Sequence, residues 1–171
     1  MGKIMGVFLV FCGVAGILYT WMMQQKERQM RLEEMLLFLQ KSVFAMEKEK
    51  VKVIDYFANY ISDESKIEKL LHEISKRLAM NIYPNGIVVW EEVFKEEEQN
   101  LMFDKATFEI LLRTGNGFFG RSRVENICFL QKSIQELEEM QEKMKEKDMQ
   151  ERKVWIPVGM LGTLMTLILF I

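Results

Sequence analysis

Three glycines in the stretch TGNGFFGRSR, at positions 115, 117 and 120, repeat the G-x-G-x-x-G spacing of a phosphate loop. That loop works only where a strand hands over to a helix N-terminus aimed at an anion. The neighbouring residues do not supply such a context. Phe108, Leu111 and Leu112 recur with helical period, and Glu109 and Arg113 interrupt any strand alternation. About twenty residues further on, where a dinucleotide fold ends its second strand, Glu138 and Glu139 fall on a solvated helix. Gly115, Gly117 and Gly120 are therefore expected to cap a helix and form a flexible link.

Other reactive side chains are sparse. His72 is the single histidine, and Cys12 and Cys128 stand apart from each other and from any other metal ligand. No histidine-based dyad with a poised partner is in view. Glu91, Glu92, Glu96, Glu97 and Glu98 form an acidic cluster. It reads either as a solvated helix face or as a docking surface for a basic partner. No catalytic residue, cofactor site or metal site is expected, and no enzyme activity. With a net charge of −2, nucleic acid is not an expected partner.

The elements that hold these residues read as helices throughout. Leu32, Leu36, Leu39, Val43 and Met46 recur at three and four residues, and the stripe breaks near Lys50. Val53, Ile54, Phe57, Ala58 and Ile61 resume it. The SDES segment carries capping residues for a stripe of Ile67, Leu70, Leu71, Ile74 and Leu78. NIYPNG is a turn, IVVW reads as the start of a helix, and Asp104 is an expected N-cap. Ser122 and Glu125 have the spacing of a capping box. They open the longest helix, in which Ile127, Leu130, Ile134, Leu137, Met140 or Gln141, and Met144 form a nearly heptad seam.

The two ends differ from the middle. Residues 4–23 and 154–171 contain no charged side chain. As helices they reach roughly 30 and 27 Å, against a hydrocarbon core of about 30 Å. They are expected to be transmembrane helices, with Tyr19, Trp21 and Trp155 as interfacial aromatics. A cleaved signal peptide and a lipobox at Cys12 fit the first run less well. Lys26, Arg28 and Arg31 follow the first run, and Lys143, Lys145, Lys147, Arg152 and Lys153 precede the second. The middle, residues 24–153, is then a helical soluble domain facing the cytoplasm. The expected fold is all-α: a helical bundle whose long antiparallel helices continue into an N-terminal and a C-terminal span.

This layout, with Trp90, the glycine-rich link and FGRSRVENI, resembles the stage III sporulation protein AB family. Gly120, Ser122, Glu125 and Asn126 match that family's motif, and Gly159 and Gly162 echo its terminal Leu-Gly-x-x-Gly. Arg123 stands where the family has Asp, and Ile127 where it has Gln. In the first helix Val43 and Ala45 fall where acids are usual, and Lys52 where proline is. The resemblance implies a non-enzymatic part of the channel between mother cell and forespore, in the mother-cell membrane. It also implies a likeness to the inner-membrane platform proteins of type II secretion and type IV pilus machines. The implied partners are a ring ATPase of the stage III sporulation protein AA kind and other channel membrane components. Homo-oligomers are a further option, since Gly13, Gly16, Gly159 and Gly162 could let helices approach closely. The alternative reading is a membrane-anchored scaffold or regulator unrelated to secretion.

Overall fold

The computed structural model describes residues 2–48, 57, 65–80, 85–120 and 122–170. Among them every regular element is an α-helix. In chain order these are α1 (Gly2–Lys48), α2 (Lys66–Ala79), α3 (Gly86–Glu96), α4 (Glu98–Leu101), α5 (Lys105–Phe119) and α6 (Arg123–Phe170). The resumed stripe at Val53, Ile54, Ala58 and Ile61, and the break near Lys50, lie outside the described residues.

Local chemistry sets the helix starts. Ser65 accepts a hydrogen bond from the amide of Glu68 at 3.1 Å, while the Glu68 carboxylate accepts one from the amide of Ser65. This reciprocal box satisfies two amides that have no partner inside α2. Asn85 caps α3 by accepting from the Ile87 amide, and Asp104 caps α5 by accepting from the Thr107 amide at 2.7 Å. IVVW is helical, as its flanks imply. Met102 takes a left-handed conformation, φ 58°, and ends the short α4. The buried Arg31 guanidinium donates to the carbonyls of Asn100 and Leu101, the orphan acceptors of that end.

The chain forms two compact units. One contains residues 30–141, and its core is aromatic. Phe38, Phe57, Trp90 and Phe118 sit ring against ring, with centroids between 5.2 and 6.1 Å apart. Phe94 stacks on Trp90 at 4.7 Å. These offset and edge contacts add to the stabilisation from burial alone. Leu32, Leu36, Leu39, Val43 and Met46 are buried along α1 as their spacing predicts, and so are Ile67, Leu70, Leu71 and Ile74 along α2. Leu130, Ile134 and Leu137 bury the seam of α6 within this unit. Arg113 pairs with Glu136 at its edge.

The other unit comprises residues 1–29 and 142–171. Here α1 and α6 run antiparallel, with Gln25 donating to Glu151 and both Arg28 and Gln29 donating to Asp148. The expected spans at 4–23 and 154–171 are not shown by the structure. No helix among the described residues is long and apolar enough to cross a membrane. The side chains of residues 7–11 and of several residues after 162 are not among those described, so the described part of each run is shorter than the run itself.

Candidate functional site

The residues singled out by sequence converge on two places in the 30–141 unit: the junction of α3, α5 and α6, and the flank of α2 and α3.

At the junction, Trp90 is fully buried and its indole N–H donates to the Leu111 carbonyl at 2.9 Å. The flexible link expected at the glycines is not there, because α5 continues unbroken through Gly115 and Gly117 to Phe119. The glycines serve close approach. A Cβ on Gly115 would lie 2.7 Å from Trp90 Cδ1, and one on Gly117 would lie 2.7 Å from the Leu130 side chain. Trp90 from α3 and Leu130 from α6 thus both press on the α5 backbone. Gly120 does end the helix, with right-handed φ and ψ, and a Cβ there would meet the Asn116 carbonyl oxygen at 2.5 Å. Among the described residues no helix N-terminus here follows a strand.

Beyond Gly120, the Asn126 amide donates to the Ser122 carbonyl at 2.9 Å, which places Ser122 at the start of α6. Asn126 is buried, while Glu125 faces solvent. Arg123, where the resemblance leads one to expect Asp, donates to the carbonyls of Met46 and Glu47 in the last turn of α1. A guanidinium suits this place, because a cation near the last carbonyls of a helix is favoured by the helix dipole. Nothing in the sequence announced this contact, which joins residues 76 to 77 positions apart. Gln131 donates to Glu47 and Gln40 to Glu138 on the same helix pair.

The acidic cluster is not one patch. Glu96 lies against α2, where the Arg77 fork donates to its two oxygens at 3.1 and 2.6 Å. Arg77 also donates to Glu73 at 2.8 Å, so one guanidinium ties α2 to α3. The bonds to Glu96 first, and to Glu73 second, raise the Arg77 pKa well above its ordinary value. The hydrogen bond from Arg77 lowers that of Glu96. Glu91 pairs with Lys95 one turn on, and Glu97 accepts from Asn100. Glu92 and Glu98 make no such contact among the described residues, and Glu98 is exposed. Beside the clamp a groove of about 550 Å³ runs between α2 and the end of α3, with Leu70 and Val93 on its floor and Lys66 and Lys69 along its rim.

Gly159 and Gly162, in the second unit, differ from each other. A Cβ on Gly159 would approach Leu18 at 3.0 Å and Val14 at 3.9 Å, whereas one on Gly162 would meet nothing within 4 Å. His72 and Cys128 are exposed, and no group of three or more metal-ligating side chains occurs among the described residues.

What the geometry defines is an all-helical protein, in which polar side chains tie one helix to the next. The family follows from comparison with known proteins. The chain matches the family described as stage III sporulation protein AB over residues 3–171, and it belongs to that family. A solved structure titled stage III sporulation protein AB (SpoIIIAB) shares its fold, with a TM-score of 0.63 at 15% identity. That match covers 72% of this chain and 98% of the other. No curated relative matches significantly. Membership supports a role in the sporulation channel, and the family is not one of known enzymes.

Proposed function

We propose that this protein is a structural platform component of the channel between mother cell and forespore. In this reading residues 4–23 and 154–171 are membrane spans and residues 24–153 form a helical domain in the mother-cell cytoplasm. The domain docks a ring ATPase of the stage III sporulation protein AA kind and converts nothing itself. The family match along nearly the whole chain carries the reading. Two further observations support it. The terminal runs lack charge, and they are flanked by cations on the side of the middle segment. In the 30–141 unit, the arginines at 31, 77 and 123 hold one helix to another.

The partner-facing surface is assigned to the acids that pair with no cation among the described residues, Glu92 and Glu98, with Glu91, Glu96 and Glu97 around them. Charge complementarity would steer a basic ATPase surface to this flank. The test is co-purification of the full chain with the ATPase from sporulating cells. The wild type should retain the ATPase, and Glu92→Lys with Glu98→Lys should lose most of it. Failure of the wild type to retain any ATPase sinks the platform reading. Full retention by the double variant sinks only this choice of surface.

A further inference from the structure

The pairing of the two terminal helical stretches keeps a constant register. Gln25 bonds Glu151, Arg28 and Gln29 bond Asp148, and Leu18 lies beside Gly159. Residues 24–26 are therefore level with residues 150–153. Three cations, Lys26, Arg152 and Lys153, share that level, although 126 and 127 positions separate the first from the other two. One turn further along, Trp21 and Trp155 are level with each other, and neither run carries a charge beyond them.

The acids at this level are already engaged. The Asp148 oxygens accept from Arg28 at 3.2 Å and Gln29 at 2.6 Å. Glu151 accepts from Gln25 at 3.3 Å and lies 3.9 Å from the Lys147 ammonium. Lys26 and Lys153 are exposed. Arg152 is half-buried, and its shielded Nε–H finds no acceptor among the described residues. The planar guanidinium carries four further N–H groups that can meet an anion from outside the helices. Next to this level, Tyr19, Trp155, Ile156 and Val158 are open apolar surface.

We infer that Lys26, Arg152 and Lys153 form a binding site for the phosphate headgroup of an anionic phospholipid, whose acyl chains lie along the apolar side chains next to it. The inference rests on the two-span reading. A lipid fits better than free phosphate because only a lipid uses the charged level and the adjoining apolar surface together.

The test uses the full chain in an uncharged detergent. Phosphatidylglycerol, phosphatidylcholine and inorganic phosphate are titrated separately, with bound lipid counted by native mass spectrometry and the melting temperature followed in parallel. Phosphatidylglycerol should bind saturably and raise the melting temperature, and each of Lys26→Gln, Arg152→Gln and Lys153→Gln should weaken it about five-fold. The same variants in phosphatidylcholine should melt like the wild type, which shows that they fold. Equal binding of the two lipids, or triple-variant binding equal to wild type, overturns the inference. So does inorganic phosphate competing at the concentration of the lipid. Extraction of native membranes with alkaline carbonate keeps the two readings apart. Release of the chain defeats the two-span reading, whereas retention without preference for the anionic lipid defeats this inference alone.

Discussion

The unit of residues 30–141 and the unit formed by the two ends solve opposite problems with the same element. In the first, helices bury rings: Trp90, Phe38, Phe57 and Phe94 are 0% exposed. In the second, helices display apolar side chains, with Ile17 at 72%, Met165 at 71% and Ile168 at 67% exposure. Charged and amide groups hold the second unit together instead, and Asp148 is 3% exposed in the middle of them. Burial of apolar surface from water stabilises the first unit by its own contacts. Apolar surface displayed on the scale of the second needs a cover from outside the chain, in lipid or in neighbouring proteins. One unit thus buries its apolar side chains, and the other displays them.

The sharpest way to break that contrast is to remove the centre of the first unit. Trp90→Ala deletes the largest buried side chain and its hydrogen bond to the Leu111 carbonyl. The expected loss is about 3–5 kcal/mol, read from urea unfolding of the detergent-solubilised chain by circular dichroism. A loss below about 1 kcal/mol would mean the aromatic cluster is not the core described here. Next comes a paired glycine substitution. Gly117→Val drives a side chain into Leu130 and Phe129 and should destabilise by about 1–3 kcal/mol. Gly162→Val meets open space and should leave the same transition in place. If both variants unfold alike, close packing is not what the glycines at 115 and 117 provide.

A smaller effect is expected in the second unit. Asp148→Ala leaves the Arg28 guanidinium, whose Nε already lacks a partner, without its carboxylate. Opening of residues 24–29 and 146–152 should become easier by about 1–3 kcal/mol, seen as faster amide hydrogen exchange there. Exchange within residues 86–119 should not change. Acceleration spread evenly over both units would erase the distinction between them.

Much of the fold was legible in the sequence, for definite physical reasons. Helical period and caps depend on residues three or four apart, so Ser65, Asp104 and the stripe from Leu32 to Met46 could be read directly. The family itself was recognised from the layout and from Gly120, Ser122, Glu125 and Asn126, and the match over residues 3–171 bears out the family. The role of Gly115 and Gly117 was not, because a glycine demanded by Trp90 and Leu130 looks, in one dimension, like one that ends a helix. The acidic cluster misled in a similar way. Five glutamates close in sequence are divided among α3, its C-cap and α4, and those on α3 point in different directions around a helix of about 3.6 residues per turn. The Arg77 that claims Glu96 comes from a different helix. Arg123 was noticed as a departure, yet its acceptors at Met46 and Glu47 are a tertiary contact that no local pattern encodes.

The least effect, and the one most specific to a single contact, concerns the clamp of Arg77 on Glu96. The hydrogen bond from Arg77 holds the Glu96 carboxyl below its ordinary value of 4.5. A carboxyl whose folded pKa is lowered binds a proton more readily when unfolded. Its stabilisation is therefore present above the unfolded value and disappears as the pH falls through the lower, folded one. Arg77 is shifted upward from its already high ordinary value, so its own titration has no bearing near neutrality. The wild type should thus lose a small increment of stability as the pH drops below about 4.5. Glu96→Gln keeps one acceptor for the guanidinium but no charge, so it should begin slightly less stable at neutral pH and lack that increment of acid loss. Because both partners of this bond face solvent on one side, the difference should shrink as salt is added. Identical acid profiles for wild type and Glu96→Gln at low salt would show that Arg77 is held by Glu73 alone. In that case the tie between α2 and α3 would rest on their apolar contacts, and Glu96 would be as available to a partner as Glu92 and Glu98.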